Sequence, residues 1–196
     1  MSTRSRAALL GAVAAAAALT LSACGSGGTS GGGGDTNFVT GDNGMDTAAR
    51  GDRAKAPDLS GKTIDGGTAD VADYKGKVVV LNVWGSWCGP CREEAKYFAK
   101  VSKAYQDQGV QFVGINTRDT STTPALAFEK AHGIAYPSLY DPTGKLMLRF
   151  PKGTLNPQLI PSTLILDRDG KVAARALQAL DDTALLKLLK PVLAEK

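Results

Sequence analysis

The run Val78-Val79-Val80-Leu81-Asn82-Val83-Trp84 leads through Gly85-Ser86 into Trp87-Cys88-Gly89-Pro90-Cys91. An almost unbroken apolar run of this length marks a strand buried on both faces. Beyond the second cysteine, Ala95, Phe98, Ala99, Val101, Ala104 and Tyr105 recur close to helical spacing, and Gly109 is the expected stop. A strand therefore delivers two thiols to the first turn of a helix. The unpaired N–H groups there favour negative charge, which stabilises a thiolate. The thiolate is the attacking species in disulfide exchange, and Cys-x-x-Cys at such a site has a lowered thiol pKa. Three-residue spacing brings the sulfurs together on one helical turn. Gly89 leaves room for a partner to approach, and Pro90 costs no intrahelical bond in the first turn.

Within this pair, Cys88 is the expected nucleophile and Cys91 the more buried resolving thiol. A purely structural bridge is a poor explanation, because so short a loop gives little entropic stabilisation. Zinc needs about four ligands. The third cysteine, Cys24, has another use, and His132 is the only histidine. His132 is better read near a helix C-terminus, where positive charge is favoured. No metal site is expected. Trp87 is expected on an exposed apolar rim, Trp84 in the core, and Glu93 and Glu94 as surface charges matched to the helix dipole.

Outward from this centre, residues 110–116 form a second buried strand. Thr123-Pro124 reads as N-cap and first residue of a helix running to His132, with Gly133 as its stop. Residues 136–140 are a short strand, Asp141-Pro142-Thr143-Gly144 a turn, 145–150 a strand or short helix, and 151–160 a loop. Residues 162–167 and 171–176 flank the hairpin turn Asp167-Arg168-Asp169-Gly170. Asp181 caps a last amphipathic helix that Pro191 kinks or ends.

These segments resemble the thioredoxin superfamily, and more closely its TlpA/ResA/DsbE-type exported members. The matching pieces are Ala56-Pro57-Asp58, Tyr74-Lys75-Gly76-Lys77, the Cys-Gly-Pro-Cys motif with Arg92-Glu93-Glu94, residues 109–116, and Ile160-Pro161-Ser162-Thr163 running on to Gly170. The resemblance covers roughly residues 55–196. It implies a thioredoxin-like α/β fold with a central mixed sheet flanked by helices, and a β-hairpin ahead of the first core strand. It also implies a cis Pro161 across from the cysteine pair, with Ile160 touching substrate and sulfurs. Two positions depart from the pattern. Asn82 stands where cytoplasmic thioredoxins hold a buried acid, which leaves the base for Cys91 unassigned. Ala95-Lys96 replace a helix-kinking proline, so a straighter helix is expected.

The N-terminus is of another kind. Arg4 and Arg6 precede a 15-residue apolar stretch, Ala7 to Leu21, which reads as an export signal over residues 1–23. Leu21-Ser22-Ala23-Cys24 resembles a bacterial lipobox, which makes Cys24 the lipidated residue. Residues 24–54, rich in Gly, Ser, Thr and Asp, read as a flexible tether with Phe38 and Val39 as solvated interruptions, ahead of a domain over 55–196. The net charge is +4, and without Arg4 and Arg6 the balance is 21 basic to 19 acidic residues. With no basic stretch interleaved with aromatics, nucleic acid is not an expected partner.

The expected function is extracytoplasmic, lipid-anchored thiol–disulfide exchange with cysteines of exported proteins. Apocytochrome c and secreted folding clients are implied by the resemblance, together with a membrane electron-transfer partner. No cofactor is needed, and the direction of exchange stays open. The alternative is a non-enzymatic copper-delivery lipoprotein on the same fold.

Overall fold

In the computed structural model, residues 36–41 and 44–195 are described. The export-signal and Cys24 readings lie outside the described residues. The strands are β1 (Val39–Thr40), β2 (Met45–Thr47), β3 (Ser60–Lys62), β4 (Thr68–Asp70), β5 (Val78–Trp84), β6 (Val110–Thr117), β7 (Ser138–Asp141), β8 (Ser162–Leu166) and β9 (Val172–Ala176). Three helices complete the fold: α1 (Gly89–Tyr105), α2 (Thr122–His132) and α3 (Asp182–Ala194).

Seven strands form one mixed sheet in the order β1-β2-β9-β8-β5-β6-β7. The motif strand β5 is an interior strand, third from the β7 edge, parallel to β6 and antiparallel to β8, and all seven of its residues are buried. Its side chains alternate between two cores. Val78 and Val80 pack with Phe98 and Val101 of α1 and with Leu185, Leu188 and Leu189 of α3. Val79, Leu81 and Val83 face the other layer, with Leu59, Leu139, Met147 and Phe150. Full burial of each such side chain contributes about 1.5–3 kcal/mol, so this strand is the best-anchored segment of the chain. Asn82 shares the parity of Val78 and Val80, which directs its amide toward α1.

The hairpin β3–β4 forms its own two-stranded sheet. It leans on the edge of the main sheet through the Thr63–Leu139 bridge, with Ile64 N–H donating to the Ser138 carbonyl at 3.0 Å. At the far end of the chain, the Asp181 side chain accepts from Ala184 N–H at 2.7 Å and starts α3. That helix runs through Pro191 to Ala194, so the proline does not end it. Helix α2 starts two residues earlier than the sequence suggests. Ser121 is its cap, and Pro124 sits in the first turn, where its missing N–H costs nothing. Residues 147–149 form a short 3-10 turn.

The tether reading is corrected over its second half. β1 and β2 pair with each other, and β2 pairs with β9, with Met45 opposite Ala176. Phe38 is buried, with the Arg175 guanidinium 4.4 Å from its ring centroid. Arg175 also donates to Asp46 at 2.6 Å. Composition misleads here because β9 supplies the pairing edge and one aromatic ring fills the remaining gap. Just upstream of residue 55, Arg53 reaches Asp167 at 3.0 Å and Glu195 at 2.6 Å, and so ties the domain's start to the β8–β9 turn and the end of α3. Among the described residues, no helix is long and apolar enough to cross a membrane.

Candidate active site

The site is assembled where β5 ends. Gly85 and Ser86 turn the chain, and Cys88 becomes the N-cap of α1 with φ −82° and ψ 113°. Its sulfur accepts the Cys91 N–H at 3.2 Å. Cys88 and Cys91 are joined as a disulfide, with sulfurs 2.07 Å apart. Both residues are buried, and the small residual access belongs to Cys88, 4% exposed against 1% for Cys91. Gly89 and Pro90 are exposed, and a Cβ on Gly89 would meet nothing within 4 Å. The backbone beside Cys88 therefore faces open space.

Facing the pair is the loop before β8. The Ile160–Pro161 peptide is cis, and the Ile160 carbonyl lies 3.8 Å from Cys88 Sγ. Ile160 is half-buried against the cysteine cluster, and its neighbour Leu159 is exposed. On the other flank Trp87 is 49% exposed, and its indole N–H donates to the Thr117 carbonyl at 3.4 Å. That pose needs Gly85, because a Cβ there would come within 2.6 Å of Trp87 Nε1. Trp84 is buried and stacks on Phe128 at 4.6 Å. It thus closes the inner wall of the cluster that holds both cysteines.

One residue read as a surface charge belongs to the interior. Glu94 is 2% exposed, whereas Glu93 stays at the surface. The Glu94 carboxylate accepts from Asn82 Nδ2 at 2.8 Å and from the Leu180 N–H at 3.0 Å. It has no cationic partner among these contacts. Burial pushes its carboxyl up to about 8, and the two hydrogen bonds pull only partway back. Glu94 follows Cys91 by three residues, one helical turn along the same face. A buried acid thus lies against Asn82 from the helix side, with the Asn82 amide donating to it. A second carboxyl, Glu129 on α2, is pushed by burial to about 7 and accepts from Ser138 Oγ at 2.6 Å. His132 does not behave as a free helix-end cation. Burial, and then the charge of Arg92, lower its pKa.

Sequence reasoning also gives no hint of Asp119. Its buried carboxylate accepts from the Ser86 N–H at 2.9 Å, from Ser86 Oγ at 2.5 Å and from Asn116 Nδ2 at 2.6 Å. Tyr140 Oη donates to its carbonyl at 3.1 Å. Asp119 therefore fixes the turn that presents Trp87 and Cys88. The signal was a single acid two residues past the end of β6, which has no meaning without the tertiary structure.

A strand-delivered Cys-x-x-Cys at a helix N-terminus, facing a cis proline across a mixed sheet, defines a thioredoxin-like protein. The AhpC/TSA family model matches residues 53–175, and the chain belongs to that family. It is 33% identical over 120 residues to the thiol-disulfide oxidoreductase ResA of Geobacillus thermodenitrificans, a match covering 60% of this chain. The chain spans 64% of that relative's length, just under two thirds. Among solved structures it is similar to a DsbF homologue from Corynebacterium diphtheriae. That match has 35% identity and a TM-score of 0.71, and covers 78% of this chain and 96% of that one. It is also similar to a secreted thiol-disulfide isomerase from Corynebacterium glutamicum. Here the identity is 31% and the TM-score 0.74, covering 83% of this chain and 100% of that one.

Proposed function

We propose that the protein is an extracytoplasmic thiol–disulfide oxidoreductase, held at the membrane by acyl chains on Cys24, that exchanges electrons with cysteines of exported proteins. The observation that carries this reading is the Cys88 sulfur at the N-terminus of α1. It receives the Cys91 N–H at 3.2 Å and lies opposite Ile160. A sulfur in that position is stabilised as thiolate. The names of the relatives support the same activity, and the secreted neighbour supports an export route.

In the reducing direction, the Cys88 thiolate attacks one sulfur of a client disulfide. The client's S–S bond breaks, one client sulfur leaves as thiolate, and a mixed disulfide remains. Cys91 then loses its proton and attacks Cys88 Sγ. The second client thiolate leaves, and the Cys88–Cys91 bond closes. Two electrons have passed to the client. Oxidation of a client dithiol is the same path reversed. Glu94 is the proton acceptor for Cys91 on this account. It is buried one turn away, its pKa of about 8 lies in a thiol's range, and no cation holds it ionised. Ile160 and the Trp87 rim flank the extended client segment. Haem-attachment thiols of apocytochrome c and cysteines of secreted proteins are the client classes, with a membrane dithiol protein as the redox partner.

The test is turnover of a polypeptide disulfide by the reduced full chain, with variants at each sulfur. Cys88→Ser is expected to abolish exchange. Cys91→Ser is expected to stop at a covalent mixed disulfide visible by mass. Full turnover by Cys88→Ser would overturn the assignment.

A further inference from the structure

Arg118 directly follows β6 and adopts φ 59°, the left-handed region, which no other described non-glycine residue does. Such a conformation in a residue with a side chain is uncommon and persists where the surroundings fix it. They do so here. Thr117 accepts the Trp87 indole N–H, and Asp119 is bonded to Ser86 and Asn116. The Arg118 guanidinium is thereby laid over the Trp87 ring, 4.5 Å from its centroid, with both residues exposed. A stacked guanidinium keeps its in-plane N–H donors free for a planar acceptor. No salt bridge to Arg118 occurs among the described residues.

Charge is divided unevenly about the cysteine pair. Arg92 stands on the same flank as Arg118, with Nη2 donating to the Ser86 carbonyl at 3.1 Å. Glu93 opens to the other side of α1, where it lines a groove with Asp181 and Leu180, and with Lys96 as its one cation. A polypeptide reaching Cys88 past Trp87 meets cations first.

We propose that Arg118, stacked on Trp87, is a specificity-determining residue whose subsite receives a carboxylate side chain flanking the client's reacting cysteine. The indole supplies an apolar wall, and the guanidinium edge supplies paired donors that match a carboxylate. The left-handed backbone at Arg118 and the bonds around Asp119 keep the subsite formed before the client arrives. This inference rests on the oxidoreductase reading.

The test uses the reduced full chain and peptides that contain one intramolecular disulfide. The peptides differ only in Glu, Gln or Lys beside the first cysteine. The expected order of reduction rates is Glu, Gln, Lys, with a Glu-to-Lys ratio of about two- to fivefold that shrinks at high salt. Arg118→Gly keeps the left-handed backbone accessible, so the fold is retained while the ratio falls toward one. Arg118→Glu is expected to reverse the order. An unchanged ratio in Arg118→Gly, or no preference in the parent chain, overturns the proposal and leaves the oxidoreductase reading intact. Failure to exchange with any peptide in either direction, by reducing its disulfide or by oxidising its dithiol, contradicts that reading itself.

Discussion

The two ends of the central sheet hold carboxylates under opposite conditions, one buried and one half-buried. At the thiol end, Glu94 has two hydrogen bonds from neutral donors and no cation, and its pKa rises to about 8. At the other end, Glu195 meets Arg53 at 2.6 Å, and that bond lowers its pKa. Arg53 is held as well by Asp167 and by the Ala48 carbonyl. A carboxyl paired with arginine stays ionised and clamps chain segments together. A carboxyl left without one holds a proton that it can give up or take. The fold thus separates a structural pole from a pole able to exchange protons, and β5 runs between them.

Their pH signatures have opposite signs. The folded-state pKa of Glu94 is raised, so its contribution to stability is complete below the ordinary value of 4.5 and is lost as pH rises toward about 8. Across that window it lowers stability by about 1.4 kcal/mol per pH unit at most, several kcal/mol in all. Glu94→Gln should flatten this limb of the stability–pH curve, as measured by denaturant unfolding of the oxidised chain. A slope unchanged by the substitution would break the comparison. Glu195 runs the other way. Its lowered pKa gives stability that is present above 4.5 and lost as pH falls through the lowered value. Arg53→Met should remove this acid limb and cost about 2–3 kcal/mol near neutrality. That is below the full range for a broken buried pair, because Glu195 is 28% exposed. The reduction potential should stay in place if the clamp is purely structural.

Two smaller effects sharpen the picture. Phe38→Ala should destabilise the domain by about 2 kcal/mol, since the ring is buried at the sheet edge rather than in the centre. A solvated tether would lose nothing measurable. Gly85→Ala should displace the Trp87 indole, read as a shift in tryptophan fluorescence, and cost about 1 kcal/mol or slightly more. A spectrum identical to the parent's would show that the rim is not pinned there.

The legible parts of the sequence were those whose causes are local. The run 78–84 and the spacing after Cys91 carry β5 and α1 in their own periodicity, and Asp181 announces its helix in the same way. The misread parts depend on distant partners. Glu94 reads as an exposed first-turn charge until Asn82 and the Leu180 N–H, 86 residues away, are brought to it. Residues 39–40 and 45–47 carry little apolar signal and become strands because β9 offers β2 an edge and β2 in turn pairs with β1. Arg118 has no sequence signature, since its meaning lies in one backbone angle and one stacked ring.

The central claim is that Cys88 and Cys91 are a working redox pair. Equilibrating the full chain with graded thiol–disulfide buffers at pH 7, and counting free thiols at each ratio, tests it most directly. The account predicts one reversible two-electron transition between about −270 and −120 mV, the range spanned by thioredoxin-fold exchangers. A value near the lower end would assign the protein to client reduction, and one near the upper end to disulfide formation. A folded chain whose cysteines do not equilibrate with the buffers at all would contradict it.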